Sequence, residues 1–269
     1  MTDRLDLARH RELGELIGDT ARLFFTHLAV FLSLTLLVVT PVVLIVVAPI
    51  VIVVEGGWGG GLADGGDADP SVGASLTSSS LGVLVIPPLV TALHVVAVQA
   101  LARGEEPTVA GALRAAAPRL LAAVAAVALY TLGVAAGILL LVVPGIWLAV
   151  RWYFAAQAPV VDGLGPVNAL RRSAEVVKSR WWRTLGVLLV FGLVTGVPGA
   201  IVGAILRQID NGALYTAGYV LLQAVLFSLT AIFGTLLFFD SRARTALPWQ
   251  GVPGVDQTAP ERPILPPRI

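Results

Sequence analysis

Apolar residues fall along this chain in six long blocks, at about 23–54, 76–101, 119–142, 146–161, 184–206 and 213–239, divided by shorter polar or glycine-rich stretches. An α-helix needs about 20 apolar residues to cross roughly 30 Å of hydrocarbon. Hydrocarbon offers no hydrogen-bond partner to an exposed peptide group, so a crossing segment is a helix or part of a closed barrel. Continuous apolar runs, rather than short alternating ones, decide for helices. The pattern predicts an all-α integral membrane protein with about six transmembrane helices and amphipathic helices at the membrane surface.

The polar stretches complete the layout. Residues 1–22 mix charges with Leu13, Leu16, Ile17 and Phe24 at helical spacing, which predicts a cytoplasmic amphipathic segment leading into the first span. The first block is too long for one upright helix, and Pro41 and Pro49 are expected to kink or divide it. Residues 55–75 form an outer, glycine-rich loop carrying Asp64, Asp67 and Asp69. Loops 102–118 and 162–183 face the cytoplasm, and 144–145 is a tight Pro-Gly turn between the third and fourth spans. The membrane domain thus covers 23–239, and 240–269, with six prolines between 248 and 267, is expected to be a disordered cytoplasmic tail. Pro107 and Pro166 open similar short segments (Glu106 to Arg114, Gly165 to Arg171), a weak internal echo in which each feeds the following span.

Charge orients the layout. Sixteen of the 18 Lys and Arg residues lie in the N-terminal segment, the loops 102–119 and 162–183, and the tail. Only Arg151 and Arg207 lie elsewhere, so the positive-inside rule places both termini in the cytoplasm of a plasma (inner) membrane protein with an even number of crossings. A net charge of +1 gives no support to a nucleic-acid partner, leaving membrane lipids as the expected one. The absence of cysteine excludes disulfides and thiolate chemistry. One lysine against seventeen arginines, with abundant alanine, valine and glycine, suggests a GC-rich prokaryotic genome.

Three residues are candidate ligand contacts: Arg151, Arg172 and Trp182. Arg151 lies about 10 Å past Pro144 at 1.5 Å per residue, where an arginine costs about 2.5–3.5 kcal/mol unless it snorkels or is paired. It is expected either to meet an anionic headgroup or phosphate, or to make a structural contact to Glu55 or kink carbonyls. The Arg171–Arg183 cluster, with Arg172, Trp181 and Trp182, suits an anionic membrane surface, and equally a purely topological anchor. His27 and His94 lack a carboxylate at comparable depth, so helix contacts are expected rather than a proton relay. Asp64, Asp67 and Asp69 lack the register of a calcium loop, and no metal or cofactor is expected. The pairs Gly133/Gly137, Gly192/Gly196 and Gly199/Gly203 permit close helix approach, and Pro198 should kink the fifth span.

Pro144-Gly145-Ile146-Trp147, Arg151-Trp152-Tyr153-Phe154, Ala158-Pro159-Val160-Val161, Pro166, Ala169-Leu170, Arg172-Ser173 and Trp181-Trp182-Arg183 together resemble the membrane domain associated with glycerophosphoryl diester phosphodiesterases. Leu13-Gly14-Glu15-Leu16, Thr20, Arg22-Leu23-Phe24 and His27 are similar to that family's opening segment, and Phe239-Asp240-Ser241-Arg242-Ala243-Arg244 to its closing aspartate–arginine signature. Asp162 stands where the family usually has glutamate, and no acidic residue follows Arg244 closely. The resemblance implies a multi-span module without the phosphodiesterase reaction, which belongs to a separate soluble barrel.

No catalytic constellation stands out, so the expected function is a non-enzymatic module that binds or organises lipids or other amphiphiles, or serves a membrane enzyme or transport system. The alternative is a small transporter with a midplane site formed by Arg151, His94, Gln99 and Gln157. Reporter fusions test the sidedness. Fusions near residue 65 should report the outside, and fusions near 107, 165 and 245 the cytoplasm; an inside signal at 65 would overturn the whole arrangement.

Overall fold

The structure is a computed structural model that describes residues 5–42 and 70–245. Among these, α-helices follow one another as α1 (Leu13–Thr26), α2 (Leu28–Val42), α3 (Pro70–Arg103), α4 (Val109–Leu140), α5 (Val142–Arg151), α6 (Gln157–Asp162), α7 (Pro166–Val177), α8 (Trp181–Leu206) and α9 (Gly212–Ala243), with a 3-10 turn at Tyr153–Ala155. No strand occurs among the described residues. Four helical stretches are long and apolar enough to cross a membrane, within α3, α4, α8 and α9, and a fifth is gained if α1 and α2 count as one bent span.

Local chemistry sets the ends. The Glu15 carboxylate accepts the Glu12 backbone N–H at 2.9 Å and closes the start of α1. Thr108 caps α4 by accepting the Gly111 N–H at 3.1 Å, and Asn211 caps α9 by accepting the Leu214 N–H at 3.0 Å. At the end of α3, Gly104 has φ 78°, and Glu105 donates its N–H to the Ala100 carbonyl at 2.9 Å, a Schellman ending that needs glycine's left-handed freedom.

α3 and α9 form the centre. In the apolar window of α3, 72% of residues lie inside the molecule, against 17% for α4 and for α8. Leu93 and Val98 of α3 pack into one core with Phe233, Leu236 and Phe239 of α9. The Thr35 and Ser228 hydroxyls, 2.7 Å apart, join α2 to α9 in that interior. The outward faces of α4 and α8 expose Leu121, Leu132, Leu193 and Ile201, an apolar surface that water would not tolerate at this extent.

α8 and α9 are antiparallel with a fixed register. Arg183 pairs with Asp240 at 2.8 Å, the Phe191 and Phe233 rings stack at 3.7 Å, and a Cβ on Gly199 would lie 3.1 Å from the Leu226 side chain. Pro198 sits inside α8 without ending it. α1 meets α2 at 87°, so the amphipathic N-terminal helix turns sharply at His27 before the apolar run begins.

Several expected boundaries move. The third span was expected from 119, but α4 starts at Val109 and absorbs most of the polar 102–118 stretch, because Thr108 supplies a cap and Pro118 is tolerated within the helix. The fourth block, 146–161, is not one helix. α5 ends at Arg151 and α6 starts at Gln157, since the Pro159 ring would clash with the Ala155 carbonyl of an unbroken helix. Ser173 of α7 satisfies the groups freed at the break, accepting the Phe154 N–H at 3.1 Å and donating to the Arg151 carbonyl at 3.0 Å. The tail was expected from Asp240, but α9 continues to Ala243, with Asp240 fully buried. Pro49, Glu55, the three loop aspartates and the proline-rich stretch lie outside the described residues.

Ser173→Ala removes both bonds at the break. It should lower stability by about 1–3 kcal/mol, the cost of stranding a buried donor and acceptor, measured by thermal unfolding in detergent against the parent chain.

Candidate functional site

α5 and the first two turns of α8 enclose an open groove of about 520 Å³ lined by Val143, Ile146, Trp147, Trp181, Trp182 and Leu185. The Trp181 indole N–H donates to the Trp147 carbonyl at 3.2 Å and holds the two walls together. Trp181 and Trp182 meet edge to face with centroids 4.7 Å apart, which leaves Trp182 79% exposed at the rim. Arg151, half-buried at the end of α5, places its guanidinium carbon 4.7 Å from the centre of the Trp147 ring. That cation–π contact holds the charge without neutralising it. No carboxylate among the described residues pairs with Arg151. The groove therefore combines an apolar slot with indoles at its mouth, and the Arg151 cation lies against one of its wall residues, Trp147, without itself lining the slot.

Of the three expected contacts, Trp182 lines this groove, and Arg151 stands against the Trp147 ring without lining it. Arg172 is drawn elsewhere: its guanidinium pairs with Asp162 at 3.3 Å and with Glu175 at 3.2 Å. Asp162, which ends α6, also pairs with the buried Arg242 of α9. Arg172 is thus a strut between α7, α6 and α9.

The histidines form no relay. His94 is fully buried, donates Nδ1–H to the Val90 carbonyl at 2.8 Å and stacks on Phe31 at 5.2 Å. His27 approaches the same ring edge-on at 6.5 Å, so Phe31 is what the two imidazoles share. His94 Nε2, Gln99 Nε2 and Gln157 Oε1 are buried without hydrogen-bond partners. Among the described residues no three His, Asp or Glu side chains gather as metal ligands. The glycine pairs divide: Gly133 lies against the Trp152 ring, Gly137 against the Gly145 backbone, and Gly199 and Gly203 against α9, while Gly192 and Gly196 face open space.

The dominant electrostatic feature is centred on a residue that sequence reasoning noted only as part of a signature. Asp240, fully buried, accepts the Arg11 N–H at 2.7 Å and Arg244 Nε at 2.9 Å, and pairs with Arg183 at 2.8 Å. The Arg11 carbonyl in turn accepts from Arg244 at 2.7 Å and from Arg183 at 3.1 Å. The Arg11 guanidinium, itself buried, reaches Asp19 at 3.0 Å and the Asp6 carbonyl at 2.6 Å. An aspartate followed by two arginines at the end of an apolar run was the available signal. Its partner Arg11, more than two hundred residues away, left none.

The fold and the groove define an all-helical protein with several helices of membrane-crossing length and an open apolar groove between α5 and the start of α8. The chain belongs to the family described as "Domain of unknown function (DUF7847)", whose match covers residues 66–241. No curated protein and no solved structure matches it.

Asp240→Asn keeps the shape and removes the charge that Arg183 and Arg244 share. Breaking a buried pair from one side should cost about 3–5 kcal/mol, read as a large fall in unfolding temperature and in detergent-extracted yield.

Proposed function

We propose that this chain is a non-enzymatic, multi-pass module of the plasma membrane, with its basic end in the cytoplasm, that binds and organises phospholipid. The observation behind this reading is Arg151: a half-buried cation without a carboxylate, set over the tryptophan that lines an apolar groove. Two cations of the basic α7 segment point the same way, since Arg171 and Lys178 are exposed and without carboxylate partners among the described residues. The membrane setting is supported by the exposed leucines of α4 and α8 and by the concentration of arginine at one end. The resemblance to the glycerophosphoryl diester phosphodiesterase membrane domain belongs to this proposal as well, and brings no hydrolysis with it.

A small transporter is the second reading, favoured by the three orphaned polar atoms of His94, Gln99 and Gln157 in the interior. Buried polar groups without partners are costly, and a solute passing between α3, α6 and α9 would offer them partners.

Purified protein should retain phospholipid through detergent exchange, measured by mass spectrometry. Arg151→Ala should reduce retention of anionic species about fivefold, the equivalent of about 1 kcal/mol for one basic side chain near a charged membrane surface, while Arg151→Lys should keep most of it. Equal retention by the parent and the alanine variant would sink the proposal.

A further inference from the structure

The groove fixes more than a ligand site, because it fixes how deep the α4–α5 hairpin can reach. α8 runs from its arginine-bearing start at Trp181 to Leu206, about 37 Å at 1.5 Å per residue, and its register with α9 places Trp181 beside the Asp240–Arg244 end. Trp147 touches Trp181 itself through the 3.2 Å bond between indole and carbonyl. Val143 and Ile146 share the groove with Trp182 and Leu185, within the first turn and a half of α8. The hairpin apex, Leu140 to Val142, is only five to seven residues from Trp147. Adding the length of the Trp181 side chain, it lies no more than about 20 Å from the basic end of α8. A crossing would place that apex near Leu206.

The rest of α4 agrees. Arg119 bonds the Val160 carbonyl at 2.6 Å, Gly133 meets Trp152, and Gly137 meets Gly145. Along about 27 Å of helix, α4 therefore stays beside the 145–160 segment. That segment is tied to the basic end by Ser173 at Arg151 and by Asp162 at Arg242. At the apex Leu139, Leu140, Leu141, Val142 and Val143 are all between 60% and 87% exposed. Five consecutive bare aliphatic side chains need hydrocarbon around them.

We propose that α4 and α5 form a re-entrant hairpin that dips into the hydrocarbon of the cytoplasmic leaflet and returns to the same side. Four crossings then remain among the described residues: the bent α1–α2 pair, α3, α8 and α9. The partner of the apex is the acyl-chain layer of one leaflet. The inference rests on the membrane setting proposed above but not on Arg151 holding lipid.

The chain has no cysteine, so single-cysteine variants have no background. In intact cells an impermeant maleimide should label Gln208→Cys, in the turn between α8 and α9, and spare Leu141→Cys and Glu106→Cys. In inverted vesicles Glu106→Cys should become reactive. A fluorophore on Leu141→Cys, reconstituted in vesicles with bromines at mid-chain, should be strongly quenched. Labelling of Leu141→Cys from outside overturns the inference, and so does an apex neither labelled nor quenched, which would be buried in protein. A chain that is soluble without detergent defeats this inference and the lipid reading together, whereas an outside-labelled apex with Arg151-dependent lipid retention defeats only this one.

Discussion

A carboxylate with no access to water is tolerated only when its lone pairs and its charge are both answered. Asp240 meets that condition with three separate parts of the chain. Arg183 comes from the start of α8, Arg244 from the next turn of its own helix, and the Arg11 N–H from the N-terminal segment. Because Arg183 and Arg244 both donate to the Arg11 carbonyl, the two arginines orient each other as well as the aspartate. This cluster fixes which ends of α8 and α9 lie together and where the N-terminal strap crosses them. Every depth relation in the molecule is measured from it.

A second ion pair extends the anchor to the broken segment. Asp162 joins Arg242, two residues after Asp240, so α6 is attached to the same end of α9. Pro159 forbids a continuous helix back from α6 to α5, and Ser173 stabilises the break by bonding residues on both of its sides. The break changes the direction of the chain and lets α5 lean on Trp181, and the lean opens the groove. Cap chemistry, one proline and two aspartates thus account for the position of a pocket whose own walls are almost wholly apolar.

The apolar blocks revealed the helical class and the long helices α3, α8 and α9, although α3 starts at Pro70 rather than 76 and α9 runs on to Ala243, because a run of twenty apolar residues is a local property. α4 began earlier than its apolar block because a threonine cap and an alanine-rich first half make helix without needing hydrophobicity. The fate of 146–161 was not legible in the run itself, although Pro159 stood in it as a warning. For the candidate site, charge in an apolar setting pointed to Arg151, and indoles beside arginines to Trp182, which lines the groove. Trp181 stood beside Trp182 in the basic cluster, whereas Trp147 joined them only through packing. Arg172 looked equivalent to its basic neighbours until Asp162, separated by a loop, claimed it.

Charge counting gave an even number of crossings, and it is blind to the difference between six and four. A hairpin that enters and leaves by one face removes two crossings and moves no basic segment to the other side, so the arginine distribution fits both counts equally. The cost assigned to Arg151 depends on that count. In a fourth crossing it would lie in hydrocarbon and need a carboxylate, which the described residues do not provide. In the proposed hairpin it would instead lie beside α7, its carbonyl bonded to Ser173, at the level of the headgroups, where a guanidinium over an indole is stable unpaired. The missing counter-ion is then no defect of the fold. The phosphate of a lipid can supply it.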